Sequence, residues 1–506
     1  MTSDATTFEA MPVDMAAVED HSARNRLVIA LLLVSAFVVI LNETIMGVAV
    51  PHLMGDLGVT AGAAQWLTTG FLLTMAVVIP ITGYLLQRLN TRPVFMLAMS
   101  FFTLGTLICA AAPGIELLIT GRVVQAIGTA IMMPLLMTTV MNLVPAESRG
   151  KTMGNISIVI SVAPAIGPTI SGLVLSVLEW RWLFILVLPI ALGALALGVS
   201  LIKNVSMPSK APLDIVSVLL SIVGFGGFVY GLSSLGGGAG HGPAPEATEA
   251  VVAAAPLFPT WLPILVGIAF IALFVFRQLS LQKTNRALLD LRTLTSKNFS
   301  VSVVMMAVLM ISMFGAMILL PIYLQSVVGL TTLQTGLLML PGGLIMGLCA
   351  PFVGSLFDKI GPTPLVVPGA ILLSLVMWGL TLVGQDTPVW ALLAGHVVMS
   401  IGLAMMFTPL FTASLGSLKP QLYSHGSAMI GTVQQVAGAA GTALFVALMT
   451  LQTATMVAGG AEEIPALASG IRSAFFVGAI ISLFAVAAAF FVRKPANAAP
   501  GMAHGH

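Results

Sequence analysis

The sequence predicts an all-α integral membrane protein with fourteen spanning helices, arranged as two six-helix bundles and two extra central helices. Three observations predict this fold class. Hydrophobic residues make up 58% of the 506 residues and charged residues only 8%, and the mean hydropathy is +1.06, outside the range of a water-soluble domain. Apolar segments of about 20 residues, each long enough to cross a bilayer, recur along the chain. Two stretches in the first half also share their residue spacing with two stretches in the second half.

Each predicted span is an apolar run bounded by short polar segments, as expected for helices that cross a hydrocarbon core of about 30 Å. The predicted spans cover residues 27–49, 64–86, 93–112, 115–141, 152–178, 182–202, 213–235, 260–280, 300–325, 332–356, 363–384, 388–416, 424–452 and 471–492.

The positions of Lys and Arg predict the orientation, because cytoplasmic loops retain positive charge. An even number of spans places both termini on one side. If that side is the cytoplasm, all but three of the 20 Lys and Arg residues lie inside. The exceptions are Arg181 and Arg472, which lie outside, and Arg122, which lies in a span. We therefore expect both termini in the cytoplasm.

The spans divide the chain into five parts. The first 22 residues are acidic and lack the basic start of a signal peptide, so residues 1–26 are predicted to be a disordered cytoplasmic tail. The other parts are an N-terminal six-helix bundle at 27–202, two linker helices at 203–298 with an outer loop at 236–258, a C-terminal six-helix bundle at 299–492 and a cytoplasmic tail at 493–506.

Two pairs of stretches indicate a duplicated six-helix unit. The stretch PITGYLLQRLNTRP at 80–93 matches PFVGSLFDKIGPTP at 351–364 in Pro, Gly, Leu and basic positions. The stretch from Arg122 matches the stretch from His396 at a similar offset. Parallel repeats of this type occur in transporters that alternate access around a site between the halves. Helix-packing chemistry alone is the alternative origin of Gly-rich similarity.

The loop after the second span resembles the signature loop of the major facilitator superfamily, G-x-L-x-D-R-x-G-R-[RK]. In the first copy Gln87 stands where the family has Asp, and Asn90 replaces its second Gly. The resemblance implies a cytoplasmic latch, better preserved in the second copy; two loops that only set orientation are the alternative. The implied latch positions are Gly83, Arg88, Arg92, Gly354, Asp358 and Lys359.

Span 4 contains LLITGRVVQAIGTA, which is similar to the superfamily pattern L-x-x-x-R-x-x-Q-G-x-G. Arg122 and Gln125 lie one turn apart on this helix. A guanidinium in a membrane costs several kcal/mol unless it faces a cavity or a partner, so we expect Arg122 to be functional. His396 holds the repeat position and is a second candidate for proton coupling, with a structural hydrogen bond as the alternative.

Span 5 contains SVAPAIGPTISGLVL, which resembles the antiporter motif G-x-x-x-G-P-x-x-G-G through Gly167, Pro168 and Gly172. Ala163 and Ser171 replace two of its glycines. A proline bends a helix, and small residues allow a neighbouring helix to approach closely. The repeat position in the second half lacks the proline, an asymmetry that the resemblance associates with exporters.

In the first span, LNETIMGVAVP contains Asn42 and Glu43. Together with the motifs above, this stretch makes residues 27 to 492 similar to the fourteen-helix drug:proton antiporter family. Most members read L-D-x-T here, and the lincomycin-resistance and multidrug exporter subgroup reads L-N-E-T. The resemblance implies a monomeric, multi-pass antiporter of the bacterial cytoplasmic membrane, driven by the proton motive force without a cofactor. It implies apolar or amphipathic drugs as substrates and no nucleic-acid partner.

Helix rise places Glu43 and Arg122 at similar depths, about 9 and 10 Å below the outer ends of their spans. The resemblance implies that the first and fourth helices both line the central cavity, so pairing between the two residues, directly or through water or Gln125, is expected. We expect Glu43 to carry the coupled proton. The alternative is an ion pair that only holds the first and fourth helices together.

The scarcity of embedded charge favours apolar or amphipathic cargo, and the 29 Met residues suit an adaptable wall, although Met also packs between helices.

No catalytic residues, metal cluster or nucleotide loop is recognised, so an enzyme is not expected. The alternatives are an exporter of one endogenous metabolite or lipid, and a non-transporting sensor or scaffold. His425 is a further candidate for substrate contact or an interhelical bond. The candidate cavity residues are Gln65, Trp66, Met132, Met133, Gln325, Gln434 and Gln435.

Overall fold

The computed structural model describes residues 15–59, 61–204, 212–235, 259 and 261–495. Within this part the chain forms fourteen helices long and apolar enough to span a membrane, and no β-strand. The predicted fold class is confirmed. The helices are α1 Met15–Leu57, α2 Ala61–Arg88, α3 Thr91–Ala110, α4 Ile115–Leu143, α5 Arg149–Val177, α6 Trp182–Leu201, α7 Ile215–Leu235, α8 Trp261–Leu281, α9 Lys297–Ile322, α10 Thr332–Ile360, α11 Thr363–Leu380, α12 Val389–Gly416, α13 Tyr423–Ala458 and α14 Glu463–Ala489.

Several helices extend beyond the apolar runs that predicted them. Residues 15–26 were expected to be disordered, but α1 begins at Met15. The stretch MAAVEDHSARNR contains Ala, Met, Glu and Arg and no Gly or Pro, so its intrinsic preference continues the spanning helix. The predicted outer loop at 236–258 lies outside the described residues.

The helices form two bundles that meet through two equivalent contacts. Helices α1–α6 pack with one another, and so do α9–α14. Across the interface α5 packs on α10, and α2 packs on α13. In the sequence repeat α10 corresponds to α2, and α13 corresponds to α5, so the two contacts are related by the internal symmetry. The hairpin of α7 and α8 packs on α2 and α13.

Small residues set the closest approaches between helices. At Gly128 in α4 a Cβ atom would collide with the Ala98 carbonyl oxygen of α3 and lie 2.7 Å from the Phe102 nitrogen. Gly105 of α3 packs equally closely on the α4 backbone at Gln125. Because lipid tails are as apolar as the side chains, such van der Waals contacts carry much of the packing energy in a membrane.

The two bundles are joined at one face, where α1 begins and α14 ends; we call it the terminal face. Hydrogen bonds cross the interface here between Thr138 and Ser427, at 2.7 Å, and between Ser157 and Thr408, at 2.8 Å. These four residues lie in the terminal-face halves of α4, α13, α5 and α12. The path between the bundles is therefore closed at this face.

We expect Gly128→Val to lower the free energy of unfolding by about 1–3 kcal/mol or more, because the new side chain meets rigid backbone of α3. Thermal denaturation of the detergent-purified protein measures this effect. Gly193→Val on α6 is the matched control, since a Cβ atom there meets nothing within 4 Å. An equal loss of stability in both variants would contradict the packing described here.

Candidate functional site

Arg122 is the centre of a polar cluster between four helices. Its side chain is 1% exposed. Nη1 donates hydrogen bonds to Asn42 Oδ1 of α1 at 3.0 Å and to Gln125 Oε1 at 2.9 Å, and Nε donates to the Leu67 carbonyl of α2 at 3.4 Å. The guanidinium lies over the Phe71 ring, 4.1 Å from its centroid, a favourable cation–π arrangement. Four contacts from three helices therefore fix the charge in place.

Gln125 extends the cluster to a fourth helix. Its Nε2 donates to Thr106 Oγ1 of α3 at 2.7 Å, and Thr106 in turn donates to the Phe102 carbonyl at 2.7 Å. Gln125 is fully buried. Because the amide nitrogen donates to Thr106, the amide oxygen of Gln125 faces Arg122. The one-turn spacing of Arg122 and Gln125 in the sequence thus corresponds to a real hydrogen bond.

Glu43 lies beside this cluster but does not join it. Its side chain is half-buried, and among the described residues it makes no hydrogen bond and no ion pair. Arg122 acts on it electrostatically without contact. Direct pairing, one of the options left open by the sequence, is therefore not formed in this structure. The neighbouring Asn42 occupies that position because successive helix residues point about 100° apart.

The residue after Glu43 connects α1 to the antiporter motif. Thr44 Oγ1 approaches the Ala163 carbonyl of α5 at 3.5 Å, and a side chain at Gly167 would collide with the same hydroxyl. Gly167 therefore permits α5 to touch α1 next to Glu43. Pro168 is exposed within a continuous helix, and a Cβ atom at Gly172 would meet nothing within 4 Å. Of the three motif residues, only Gly167 faces this cluster.

His396 occupies the position equivalent to Arg122 in the second half but makes a different contact. Its Nε2 lies 3.1 Å from the Met339 carbonyl of α10, and Nδ1 has no partner among the described residues. Gly342 leaves room for the ring, since a Cβ atom there would collide with it. His396 therefore joins α12 to α10.

Asp358 forms the latch between the bundles at the terminal face. Its carboxylate accepts hydrogen bonds from the backbone nitrogens of Gly150, at 2.8 Å, and Lys151, at 2.9 Å. These groups belong to the first turn of α5, where unpaired N–H groups and the helix dipole favour an anion. Gly354 allows this approach, because a side chain there would collide with the Gly150 carbonyl. Lys359 is exposed.

The first-half copy of the latch is uncharged. Gln87 Nε2 donates to the Gln421 carbonyl just before α13, at 2.9 Å. Gly83 faces His425, and a Cβ atom there would lie 3.1 Å from its Nδ1. Arg92 turns back to its own bundle and donates to the Val199 carbonyl at 2.6 Å. Arg88 ends α2 and is exposed.

His425 lies at this latch and not among the residues that line a cavity. It is buried, and it interacts electrostatically with Asp290 from the segment between α8 and α9. Burial alone would raise the pKa of Asp290, but hydrogen bonds from the Arg292 side chain and backbone hold this pKa below its ordinary value. The spacing of motifs gave no signal for this cluster, because Asp290 and Arg292 lie outside every repeat.

A small cavity of about 50 Å³ lies between α2, α7, α9 and α13, towards the face opposite the terminal one. Gln435 lines it, and Trp66 stacks on Tyr230 beside it, with ring centroids 6.0 Å apart. Met132 was expected to face a cavity, but it is fully buried in the core. Helical periodicity alone did not show which side of α4 faces inward. Of the other candidates, Gln65, Met133, Gln325 and Gln434 are half-buried and do not line this cavity.

Two helical bundles sealed at one face, with a buried cationic cluster and an inter-bundle cavity, define a multi-pass membrane transporter. Comparison with known proteins makes this class specific. The chain belongs to the Major Facilitator Superfamily, whose family model matches residues 32–442.

Similar proteins span almost the whole chain. An MFS-type transporter of Bacillus subtilis, YcnB, is 37% identical over 94% of this chain and 97% of its own. The lincomycin resistance protein LmrB of Listeria innocua is 38% identical over 92% of this chain and 96% of its own. The crystal structure of the human organic anion transporter MFSD10 superposes with a TM-score of 0.62 over 92% of this chain and 99% of that one, at 14% identity. The fold is therefore shared well beyond sequence similarity.

We expect Asn42→Leu to lower the free energy of unfolding by about 1–3 kcal/mol, because a hydrogen-bond donor of Arg122 is left buried without its acceptor. Asn42→Asp, which keeps an acceptor oxygen, should retain wild-type stability. The midpoint of thermal denaturation in detergent compares the two variants. Equal destabilisation by both substitutions would contradict the role of Asn42 as the acceptor for Arg122.

We expect Asp358→Ala to raise the proportion of protein open at the terminal face by at least about tenfold, because each hydrogen bond to a charged group contributes about 1.5–3 kcal/mol. Spin labels at the terminal-face ends of α5 and α10 report the distance between the bundles. Lys359→Ala is the matched control, since that exposed side chain does not touch α5. Identical distance distributions in the two variants would disprove the latch.

Proposed function

We propose that this protein is a proton-coupled antiporter that exports apolar or amphipathic drugs across a bacterial cytoplasmic membrane by alternating access. The single observation that supports this proposal is the arrangement of Glu43 beside Arg122. Arg122 is held by neutral partners, while the nearby carboxylate is left without a fixed partner among the described residues. A transporter that only needed a structural ion pair would engage both groups.

An unengaged carboxylate can gain and lose a proton without breaking the cluster. Asn42 and Gln125 keep the guanidinium in one position in both protonation states. Protonation of Glu43 then removes a negative charge close to Arg122, while the position of the guanidinium stays the same. The two protonation states differ in electrostatic energy, and this difference is what a coupled conformational change requires.

The position of Glu43 suits transmission of that change to the bundle interface. Thr44 follows Glu43 and contacts α5 at Ala163 and Gly167. At its other end α5 is held by Asp358 of the second bundle. A shift of α1 relative to α5 therefore acts on a helix of the bundle interface. Through this helix the protonation of Glu43 can favour one of the two arrangements of the bundles.

We assign the terminal face to the cytoplasm, because the distribution of Lys and Arg favours that side. In this structure the cytoplasmic side is then closed, with Glu43 in the outer half of the membrane. Glu43 takes up a proton there as drug leaves, the bundles rock, and Glu43 loses the proton to the cytoplasm as the next drug molecule binds.

Drug export is supported by the relatives and by the chemistry of the cavity. A similar protein is called a lincomycin resistance protein, and none of the described residues that line the small cavity between α2, α7, α9 and α13 is charged. The uncharged lining suits apolar and amphipathic molecules better than phosphates. If the protein instead exports one endogenous metabolite, its overexpression should not protect a strain against a panel of antibiotics.

We expect Glu43→Gln to abolish drug-driven proton flux in proteoliposomes, because the amide cannot carry a proton through the cycle. Lincomycin and ethidium are the first drugs to use, with a pH-sensitive dye inside the vesicles. Glu116→Gln, a change of an exposed acid in the first turn of α4, should retain wild-type flux. Full proton flux in Glu43→Gln would overturn the assignment of the proton site.

A further inference from the structure

The segment after α14 crosses the terminal face of the second bundle. It covers residues 490–495, and we call it the strap. Val492 in the strap is fully buried. Pro495 is also buried and packs on Gly416, the last residue of α12, where a Cβ atom would lie 3.1 Å from the proline Cγ. Apolar contacts therefore hold the strap against the bundle.

Three contacts join the strap to residues 358–363, which end α10 and begin α11; we call this stretch the latch loop. Thr363 Oγ1 donates a hydrogen bond to the Val492 carbonyl at 2.7 Å, and Lys494 Nζ donates to the Asp358 carbonyl at 3.4 Å. The Lys494 side chain also lies over Gly361, where a Cβ atom would be 3.5 Å from the Lys494 Cβ. The strap thus contacts the latch loop at its beginning, its middle and its end.

Lys494 supplies a hydrogen bond that the helix itself cannot make. The Asp358 carbonyl would normally accept from the N–H group four residues on, but that residue is Pro362, which has no N–H. The Gly361 nitrogen donates to the Phe357 carbonyl, at 2.8 Å. A lysine near the C-terminal end of a helix bonds such free carbonyls and complements the helix dipole. Lys494 therefore stabilises the last turn of α10, which carries the Asp358 carboxylate.

The charge of Lys494 also acts on that carboxylate. Lys494 attracts the Asp358 carboxylate, whereas Glu147, just before α5, repels it. The carboxylate itself accepts hydrogen bonds from the Gly150 and Lys151 nitrogens across the bundle interface. A hydrogen bond and a charge therefore both connect the strap to the residue that forms the latch.

Asn298 in the first turn of α9 anchors the strap to two further helices. Its Oδ1 accepts a hydrogen bond from the Arg493 backbone nitrogen at 2.8 Å, and its Nδ2 donates to the Ala413 carbonyl of α12 at 3.1 Å. One amide thus uses both its acceptor and its donor. Through the strap the latch loop is tied to α9 and α12 of its own bundle.

The first bundle holds its own copy of the latch loop in an equivalent way. When residues 80–93 are aligned with 351–364, Arg92 corresponds to Thr363. The Arg92 backbone nitrogen donates to Asn204 Oδ1 at 3.3 Å, and its guanidinium donates to the Val199 carbonyl. Asn204 follows α6, the last helix of the first bundle, as the strap follows α14. The contact between this loop and the end of its bundle is therefore a repeated feature of the fold.

We propose that the strap positions the latch, and that Lys494 and Thr363 hold the latch loop so that the Asp358 carboxylate faces the start of α5. Both are positioning residues that act through Asp358. Loss of their contacts loosens the last turn of α10 and favours opening of the bundles at the terminal face. The proposal does not rest on proton-coupled drug export, because it concerns only the balance between the closed and open arrangements.

Spin labels at the terminal-face ends of α5 and α10 measure the proportion of open protein, without drug or pH gradient. We expect Lys494→Ala to raise this proportion about threefold, the effect of losing one net hydrogen bond. Lys494→Arg keeps a donor and a charge and should retain the wild-type proportion. Arg493→Ala is the matched control. It removes the same charge from an exposed side chain, whereas Arg493 contacts Asn298 through its backbone nitrogen, so it should also retain the wild-type proportion.

Thr363→Val tests the strap from the side of the latch loop. It removes the hydroxyl that donates to Val492 at nearly constant volume and should raise the open proportion about threefold. Thr363→Ser, which keeps the hydroxyl, should behave like the wild type.

A double-mutant cycle with Asp358→Ala distinguishes positioning of the latch from general stabilisation of the bundle. If Lys494 acts through the latch, Asp358→Ala combined with Lys494→Ala opens no further than Asp358→Ala alone. A further threefold opening in the combined variant would overturn the proposal. Wild-type proportions in both Lys494→Ala and Thr363→Val, or equal opening by Arg493→Ala, would also overturn it. Failure of proton coupling through Glu43 would leave these distances unchanged, so the two proposals fail separately.

Discussion

The buried charge of Arg122 is the constraint on which the first bundle depends. A guanidinium inside a membrane is expensive unless each part of it is engaged. Here α1 supplies Asn42, α2 supplies the Leu67 carbonyl and the Phe71 ring, and α4 supplies Gln125. Gln125 is itself positioned by Thr106 of α3. The relative positions of four helices are thus fixed by one side chain, and any movement within the bundle must preserve its contacts.

The two halves use the repeated loop differently at the terminal face. Asp358 engages the start of α5 with a charge, whereas Gln87 engages the loop before α13 with a neutral amide. Charge-assisted hydrogen bonds are roughly twice as strong as neutral ones. The seam between α5 and α10 is therefore held more firmly than the equivalent seam between α2 and α13. The helices of the weaker seam, α2 and α13, also supply most of the residues that line the small cavity.

The sequence predicted the features that depend on spacing and composition. Apolar length gave the fourteen helices, and the duplicated stretches identified α2 and α10 as equivalent before their contacts with α13 and α5 were known. Arg122 and Gln125, which lie one turn apart in the sequence, are joined by a hydrogen bond in the structure. The partner of Arg122 on α1 was not predictable in this way. A choice between Asn42 and Glu43 depends on the rotation of α1 about its axis, which long-range packing decides.

The same limit applies to Met132. Met132 is polarizable and suits a cavity wall, but α4 is buried on most sides and turns this residue into the core. His425 has Ser424 and Gly426 as its sequence neighbours, and the segment containing Asp290 folds back to reach it. Contacts made by segments between spans have no periodicity to reveal them, so only the folded structure shows them.

The shift of the acid from the usual first position of the motif to Glu43 separates two tasks. With Asp at position 42, the hydrogen-bond acceptor for Arg122 would itself be titratable, and each protonation would disturb the cluster that holds α1 to α4. With Asn42 there, the acceptor is permanent and the bundle stays intact. The titratable group then lies one residue on, next to Thr44, whose contact with α5 leads to the bundle interface. Under the proposed function, protonation of Glu43 would act on the contact between α1 and α5 and leave the centre of the bundle unchanged.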